Sequence, residues 1–359
     1  MRAAVLPEVG AEFEISDVEL APVGPHHVQV RIAASGVCHS DLSIQTGGLP
    51  FPLPSVLGHE GAGVVEAVGS EVTRVEPGDH VVLSWIPPCR ACASCLGGQP
   101  FLCERGLTDA LSQPYGTWKG KPLLAGLGTA TFGEATVVLD RAVVPIDPSL
   151  PLELAALVGC AVSTGVGAVV NTARVPPGSR VAVVGCGGVG LSVVQGAALA
   201  GASSIVAVDR VSDKLALATS MGATDVIDAS ANDAVDAVLD LSRGRGVDFA
   251  FEVVGAPPTI KQAFAMTRRG GTTVLVGAGR PDQTVTFTAM EMFVGAKSIL
   301  GCVYGSTDPD RDFPRLLDLH QNGRLHLDRL VSRRIGLDDV NDAFRAMEAG
   351  EVARSVIVY

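Results

Sequence analysis

Short apolar runs broken by Gly and Pro dominate the first part of the chain. In His27-Val-Gln-Val-Arg-Ile, apolar and polar positions alternate with the period of two that a half-buried strand requires. Gly61-Ala-Gly-Val-Val-Glu-Ala-Val and Asp79-His-Val-Val-Leu are further strand-length runs, and Pro77-Gly78-Asp79 is a turn feeding the latter. This texture predicts an irregular antiparallel β domain over residues 1 to about 150. Near 151 the texture changes. Arg180-Val-Ala-Val-Val-Gly, Ser204-Ile-Val-Ala-Val-Asp, Val247-Asp-Phe-Ala-Phe-Glu-Val-Val and Gly271-Thr-Thr-Val-Leu-Val alternate with Ala- and Leu-rich helical stretches. Buried strands alternating with helices predict βαβ units and a doubly wound parallel sheet. Helical periodicity returns at 311–323 and 338–349, and Ser355-Val-Ile-Val-Tyr closes the chain as a strand. The predicted class is α/β, in two domains.

Composition narrows the function classes. At 47% hydrophobic and 18% charged, the 359 residues can fill two cores. The net charge of −11, without any cluster of Lys and Arg, argues against a nucleic-acid partner. Met1-Arg-Ala-Ala-Val-Leu-Pro lacks the apolar core of a signal peptide, and no apolar run reaches the ~18 residues of a membrane span. A cytoplasmic location without a membrane partner is expected. The eight cysteines are then expected to be metal ligands or free thiols.

Four of them, Cys89-x-x-Cys92-x-x-Cys95-x7-Cys103, have the spacing of a zinc knuckle. Four thiolates converging on one tetrahedral ion leave no position for water, so this site is predicted to be structural rather than catalytic. The competing interpretation is a disulfide cluster or chance clustering.

A dinucleotide site is predicted where Gly185-Cys-Gly187-Gly188-Val189-Gly190 follows one strand and opens a helix. The glycines let the backbone turn tightly and approach a pyrophosphate at the helix N-terminus. Asp209 ends the next strand, nineteen residues past Gly190, and can accept from both hydroxyls of an adenosine ribose. Its charge would repel a 2′-phosphate, which favours NAD over NADP; the adjacent Arg210 works slightly against this. A Gly-rich turn without a ligand, and a plain strand-end acid at 209, are the bland alternatives.

Outside the knuckle, Cys38, His59 and Cys160 stand in Ser35-Gly-Val-Cys38-His39-Ser40-Asp41, Leu57-Gly-His59-Glu60-Gly and Val158-Gly-Cys160-Ala-Val-Ser-Thr164-Gly. Two thiolates and an imidazole can make a three-ligand zinc with a fourth position for water or substrate. The residues alone leave open a pair of buried free thiols and a satisfied histidine. Taken in order, however, these motifs resemble the zinc-dependent medium-chain alcohol dehydrogenases over nearly the whole chain. Gly126-Leu-Gly-Thr-Ala-Thr-Phe-Gly-Glu and the run from Gly159 through Asn171-Thr-Ala are similar to the animal-type and glutathione-dependent branch.

The resemblance implies a GroES-like catalytic domain from 1–161 and 304–359, a Rossmann NAD-binding domain at 162–303, and a cleft between them. It implies Cys38, His59 and Cys160 as catalytic zinc ligands, with Glu60 behind the metal and Asp41 on the far nitrogen of His59. His39 and Arg354 would approach the cofactor pyrophosphate, Thr164 the nicotinamide and Lys214 the adenosine ribose. Ser40 would take or hold the alcohol proton, and Trp85 would wall the substrate pocket. For Glu60, Asp41, His39 and Arg354 an ordinary surface role is the alternative, and for Trp85 core packing.

Two departures from the family pattern matter. Ser43 stands where many relatives end their proton relay in a histidine, so release is expected through water, with His39 as an alternative base. Leu107 stands where glutathione-dependent formaldehyde enzymes have an arginine, which argues against S-hydroxymethylglutathione as substrate. The expected activity is hydride transfer between NAD and a primary aliphatic, aromatic or allylic alcohol, with two Zn²⁺ per chain. The rivals are a thiol-adduct formaldehyde dehydrogenase, a formaldehyde dismutase with tightly held NAD and, more distantly, a non-catalytic NAD-binding scaffold. A homodimer is expected, its strands pairing across a two-fold axis from Gln283-Thr-Val-Thr-Phe and around Ile299-Leu-Gly-Cys-Val.

Overall fold

A computed structural model describes all residues except Val352. The chain forms two compact units: Met1–Ala161 with Asp308–Gly323 and Val331–Tyr359, and Val162–Thr307 with Arg324–Leu330. Residues 304–307 and Arg324–Leu330 group by their contacts with the second unit, whereas the resemblance implied them in the first.

The first unit holds β1 (Arg2–Leu6), β2 (His27–Gly36), α1 (His39–Gln45), β3 (Glu60–Val68), β4 (His80–Leu83), α2 (Glu104–Ser112) and β5 (Ala135–Leu139). Along β2, Val28, Val30, Ile32 and Ala34 are buried between more exposed His27, Gln29 and Arg31, which is the alternation that predicted the strand. The main sheet runs Val143–Pro145, β4, β3, β2, Ser355–Val358, Arg333–Ile335, with β5 also on β2. A second six-stranded sheet contains β1. The pairing is mostly antiparallel; Ser55–Val56 with Lys121–Ala125, and Arg333–Ile335 with Ser355–Val358, are parallel. Phe13, Phe132 and Phe344 pack ring on ring in the core over the second sheet.

The second unit runs β6 (Arg180–Val184), α3 (Gly188–Leu199), β7 (Ser204–Asp209), α4 (Ser212–Ser220), β8 (Asp225–Asp228), β9 (Val247–Glu252), β10 (Thr267–Leu275), α5 (Ala289–Gly295) and β11 (Ser298–Gly301). Every pair is parallel and the order is β8-β7-β6-β9-β10-β11. That is the doubly wound order 3-2-1-4-5-6, whose direction reverses between β6 and β9. Val181, Ala182 and Val183 of β6 are fully buried, as a strand covered on both faces requires. The stretch 283–287 is not a strand; Phe287 packs instead on Phe264, with centroids 4.5 Å apart. Among the described residues no single helix is long and apolar enough to cross a membrane.

Candidate functional site

Strand register assembles the first cluster. β2 pairs antiparallel with β3 so that Gly36 faces Glu60. Cys38, two residues past the end of β2, therefore comes beside His59, the residue before β3. Ser355–Val358 pairs on the other edge of β2, with Val356 facing Gly36, and this brings Arg354 to the same place. Gly36 is required there: a Cβ on it would lie 2.1 Å from Glu60 Oε2. Gly159 likewise sits against the Leu83 carbonyl and the Glu60 backbone, which draws Cys160 in. As a result one ligand atom from each of Cys38, His59, Glu60 and Cys160 lies within 4.8 Å of the others, and all four residues are buried.

Asp41 organises this cluster. It is 1% exposed and sits in the first turn of α1. Its Oδ1 accepts from Gly58 N at 3.0 Å and lies 3.2 Å from His59 Nδ1, while Oδ2 accepts from Cys38 N at 3.4 Å. Holding Nδ1 leaves Nε2 for a metal. Glu60 Oε1 accepts from Ala161 N at 3.1 Å and from Arg354 Nη1 at 3.2 Å, and its Oε2 has no hydrogen-bond partner. Arg354 was expected at a cofactor pyrophosphate. It is buried, donating to the Val37 carbonyl at 2.8 Å and pairing with Glu60. Nothing in its spacing along the chain signalled this, because the contact depends on the strand register.

Charges in the cluster are interdependent. Burial pushes Glu60 up to about 7, against the pull of Arg354. The Cys160 thiol donates toward Cys38 and holds it well below the ordinary thiol range, helped by His59 and Arg354; Cys160 is pushed up in turn. Burial alone would lower His59, but Asp41 and the Cys38 thiolate outweigh it and raise it. Two soft sulfurs, an oriented imidazole and an unpartnered buried carboxylate oxygen are a donor set that fits zinc.

Around this cluster, Ser40 Oγ lies 3.9 Å from Cys38 Sγ. The Trp85 ring meets the His59 ring edge-on, with centroids 6.2 Å apart and planes at 76°. His39 is exposed at the start of α1, and Ser43 lies half-buried further along it. Thr164 is buried in helix Ala161–Gly167.

The second cluster is the knuckle. Cys89, Cys92, Cys95 and Cys103 are unbridged, and their sulfurs lie within 4.8 Å of one another. Cys92 and Cys103 sulfurs are 3.9 Å apart, close to the edge of about 3.8 Å of a tetrahedron with arms of roughly 2.3 Å. Backbone N–H groups of Cys92, Cys89 and Gly106 point at sulfur, at 3.3, 3.2 and 3.3 Å. The backbone N–H of Ala91 leads in drawing Cys89 down to about 6. This geometry fits a second zinc. Arg90, inside the loop, spans Asp308 and Asp310.

The glycine loop occupies its expected place between β6 and α3. Gly185 has φ +98°, which only glycine adopts without strain. A Cβ on Gly190 would lie 1.8 Å from the Gly185 carbonyl oxygen, so this glycine permits the close helix–strand packing. A Cβ on Gly187, the N-cap of α3, would meet nothing within 4 Å, and no side chain caps the helix. The open space before uncapped N–H groups of Gly188, Val189 and Gly190 suits a pyrophosphate. Asp209 ends β7, but its oxygens already accept from Cys186, Arg210 and Val211 N–H at 2.7, 2.7 and 3.0 Å. A carboxylate has about four acceptor positions. One remains for a ribose hydroxyl, rather than the two expected. Lys214, on α4, lies near enough to act on the charge of Cys186.

Comparison with known proteins agrees with both halves. Residues 24–148 match the Alcohol dehydrogenase GroES-like domain family and residues 188–322 the Zinc-binding dehydrogenase family. A Mycobacterium tuberculosis protein named "Putative alcohol dehydrogenase D" is 40% identical over 365 residues, covering 99% of each chain. The crystal structure of benzyl alcohol dehydrogenase from Acinetobacter calcoaceticus superposes with TM-score 0.93 at 35% identity, covering 99% of this chain and 98% of that one. A Sinorhizobium meliloti 1021 protein solved bound to NADP superposes with TM-score 0.83 at 28% identity, covering 100% and 99%. With its barrel-like and parallel sheets, its two cysteine-rich clusters and its glycine loop, the chain belongs to the zinc-dependent medium-chain alcohol dehydrogenase family.

Proposed function

We propose that this protein is an NAD-dependent alcohol dehydrogenase that interconverts primary alcohols and aldehydes, with aromatic and allylic alcohols preferred, and carries two zinc ions per chain. The observation that carries the proposal is the buried convergence of Cys38, His59 and Cys160 with Glu60 behind them. A bound zinc would act as a Lewis acid on the alcohol oxygen, and a bound nicotinamide would take the hydride. The chain's own residues do the rest. Asp41 keeps His59 in one tautomer and orientation. Glu60 and Arg354 form an ion pair behind the ligands, so the local charge is shared. Ser40 Oγ would accept a hydrogen bond from the substrate hydroxyl and, as that proton is transferred to it, pass its own on to water. Trp85 supplies a flat apolar wall beside His59, which suits a ring or a double bond.

NAD is preferred in this reading because the Asp209 carboxylate would face a 2′-phosphate with like charge. Aromatic substrates are supported by Trp85 and by the likeness to benzyl alcohol dehydrogenase. Leu107, exposed on α2, offers no cation for the carboxylates of a glutathione adduct. The testing experiment follows reduced cofactor with NAD and NADP, using benzyl alcohol, ethanol and S-hydroxymethylglutathione. The proposal expects kcat/KM to be highest with NAD and benzyl alcohol. Turnover confined to the glutathione adduct, or equal use of both cofactors, would overturn it.

A further inference from the structure

A cavity of about 290 Å³ lies in the second unit, lined by Gln195, Ala198, Leu199, Met221, Arg324 and His326 among others. It sits at the C-terminal end of α3, the helix whose other end carries the glycine loop, about 18 Å away along twelve residues. Its volume lies just below the roughly 300–1,000 Å³ of small-molecule pockets, which suits a small ligand.

The polar groups on its wall are unequal. Several helix-end carbonyls nearby are already used: Ala200 N donates to Gly196 O, Gly201 N to Ala198 O, Met221 N to Leu217 O and Gly222 N to Thr219 O. Arg329 Nη1 caps the Ser220 carbonyl at 2.6 Å. Two side-chain donors stand out. Gln195 is 3% exposed; its Oε1 accepts from His326 N at 2.7 Å, which fixes the amide's orientation, and its Nε2 has no partner. A buried amide N–H₂ left unpaired is costly, and few native side chains carry that cost without a ligand or water. Arg324 makes no ion pair or side-chain hydrogen bond among the described residues, and no Asp or Glu lines the cavity. Ala198, Leu199 and Met221 give the remaining wall an apolar character.

We infer that this cavity binds a small organic carboxylate. The carboxylate would accept from Gln195 Nε2 and from the Arg324 guanidinium, a charge-assisted pair, while the apolar body rests on Leu199 and Met221. The inference does not depend on which alcohol the enzyme oxidises.

Titration calorimetry of the zinc-loaded protein with benzoate tests it. A binding event should appear in the wild type, weaken at least about tenfold in Arg324→Ala, and vanish in Gln195→Glu, which keeps the acceptor for His326 N–H but opposes the anion with a like charge. Arg324 is exposed, so Arg324→Ala should fold normally and turn over benzyl alcohol at the wild-type rate without benzoate. Benzoate should also slow hydrogen exchange in segments 217–224 and 322–328. A carboxylate bound at Cys38, His59 and Cys160 would not respond to Arg324→Ala. If all measured binding is of that kind, or if none is seen, the inference fails. It fails too if inorganic phosphate binds as tightly as benzoate, since the apolar wall would then play no part.

Discussion

Asp209 shows how much a single carboxylate is asked to do. It holds the glycine loop through Cys186 N–H and its own strand end through Arg210 and Val211 N–H, and in the proposed reading it also presents charge to an adenosine ribose. Asp209→Gly should therefore narrow the preference for NAD over NADP by about ten- to a hundredfold, the worth of one hydrogen bond to a charged group. Asp209→Asn should fall between the two. Unchanged kcat/KM ratios in both variants would remove Asp209 from cofactor choice. Ser43 makes a second prediction at this scale. A serine there cannot buffer a proton near neutrality, so Ser43→His should speed single-turnover alcohol oxidation mainly below pH 7. The gain should be well under the roughly 10²-fold that a directly acting base contributes. An unaltered pH profile would show that proton release does not pass position 43.

Elements hold these residues through contacts distant in sequence. Strand Arg333–Ile335 is tied to helix Leu152–Ala155 by a bidentate pair, Arg334 to Glu153 at 3.0 and 2.7 Å. Hydrogen bonding from Arg334 holds the Glu153 carboxyl below its ordinary range. A depressed carboxylate contributes stability above its unfolded value near 4.3 and loses it as pH falls through the lower folded value. Arg334→Ala should thus lower stability slightly at pH 7, an effect kept small by solvent screening of the exposed guanidinium. The gap to wild type should close below about pH 4; urea denaturation at both pH values measures it, and a gap that persists would mean packing rather than charge. The same long-range dependence decides what could be read from sequence. The knuckle and the glycine loop were legible because each lies within one short segment whose spacing is its geometry. The Glu60–Arg354 pair was not, because it arises only when β2 lies between β3 and the C-terminal strand. The alternation in 283–287 suggested a strand, yet the segment is irregular and Phe287 packs on Phe264. Gln195 gave no signal at all, since its partner His326 is 131 residues away.

At the scale of the whole molecule, the parallel sheet ends at β11, paired on one side only by β10. Nearby elements expose apolar groups: Phe293 is 82% and Met290 66% exposed on α5, and Leu300 lies outward on β11. An edge strand flanked by exposed large side chains invites a partner. We propose a homodimer through this edge. Phe293→Glu should then raise the dimer dissociation constant by about thirtyfold or more, read by light scattering across a dilution series. A wild type that is monomeric, or a variant that associates as the wild type does, would refute the arrangement. The central claim, however, is that one chain holds two zinc ions with separate duties, one in the knuckle and one among Cys38, His59 and Cys160. The most direct measurement is zinc per chain by plasma mass spectrometry in fully active wild type and in Cys160→Ala. Two ions in the active protein, and one in a folded variant without alcohol dehydrogenase activity, is the predicted result. One ion in the active wild type, or two retained in an active Cys160→Ala, would contradict the account.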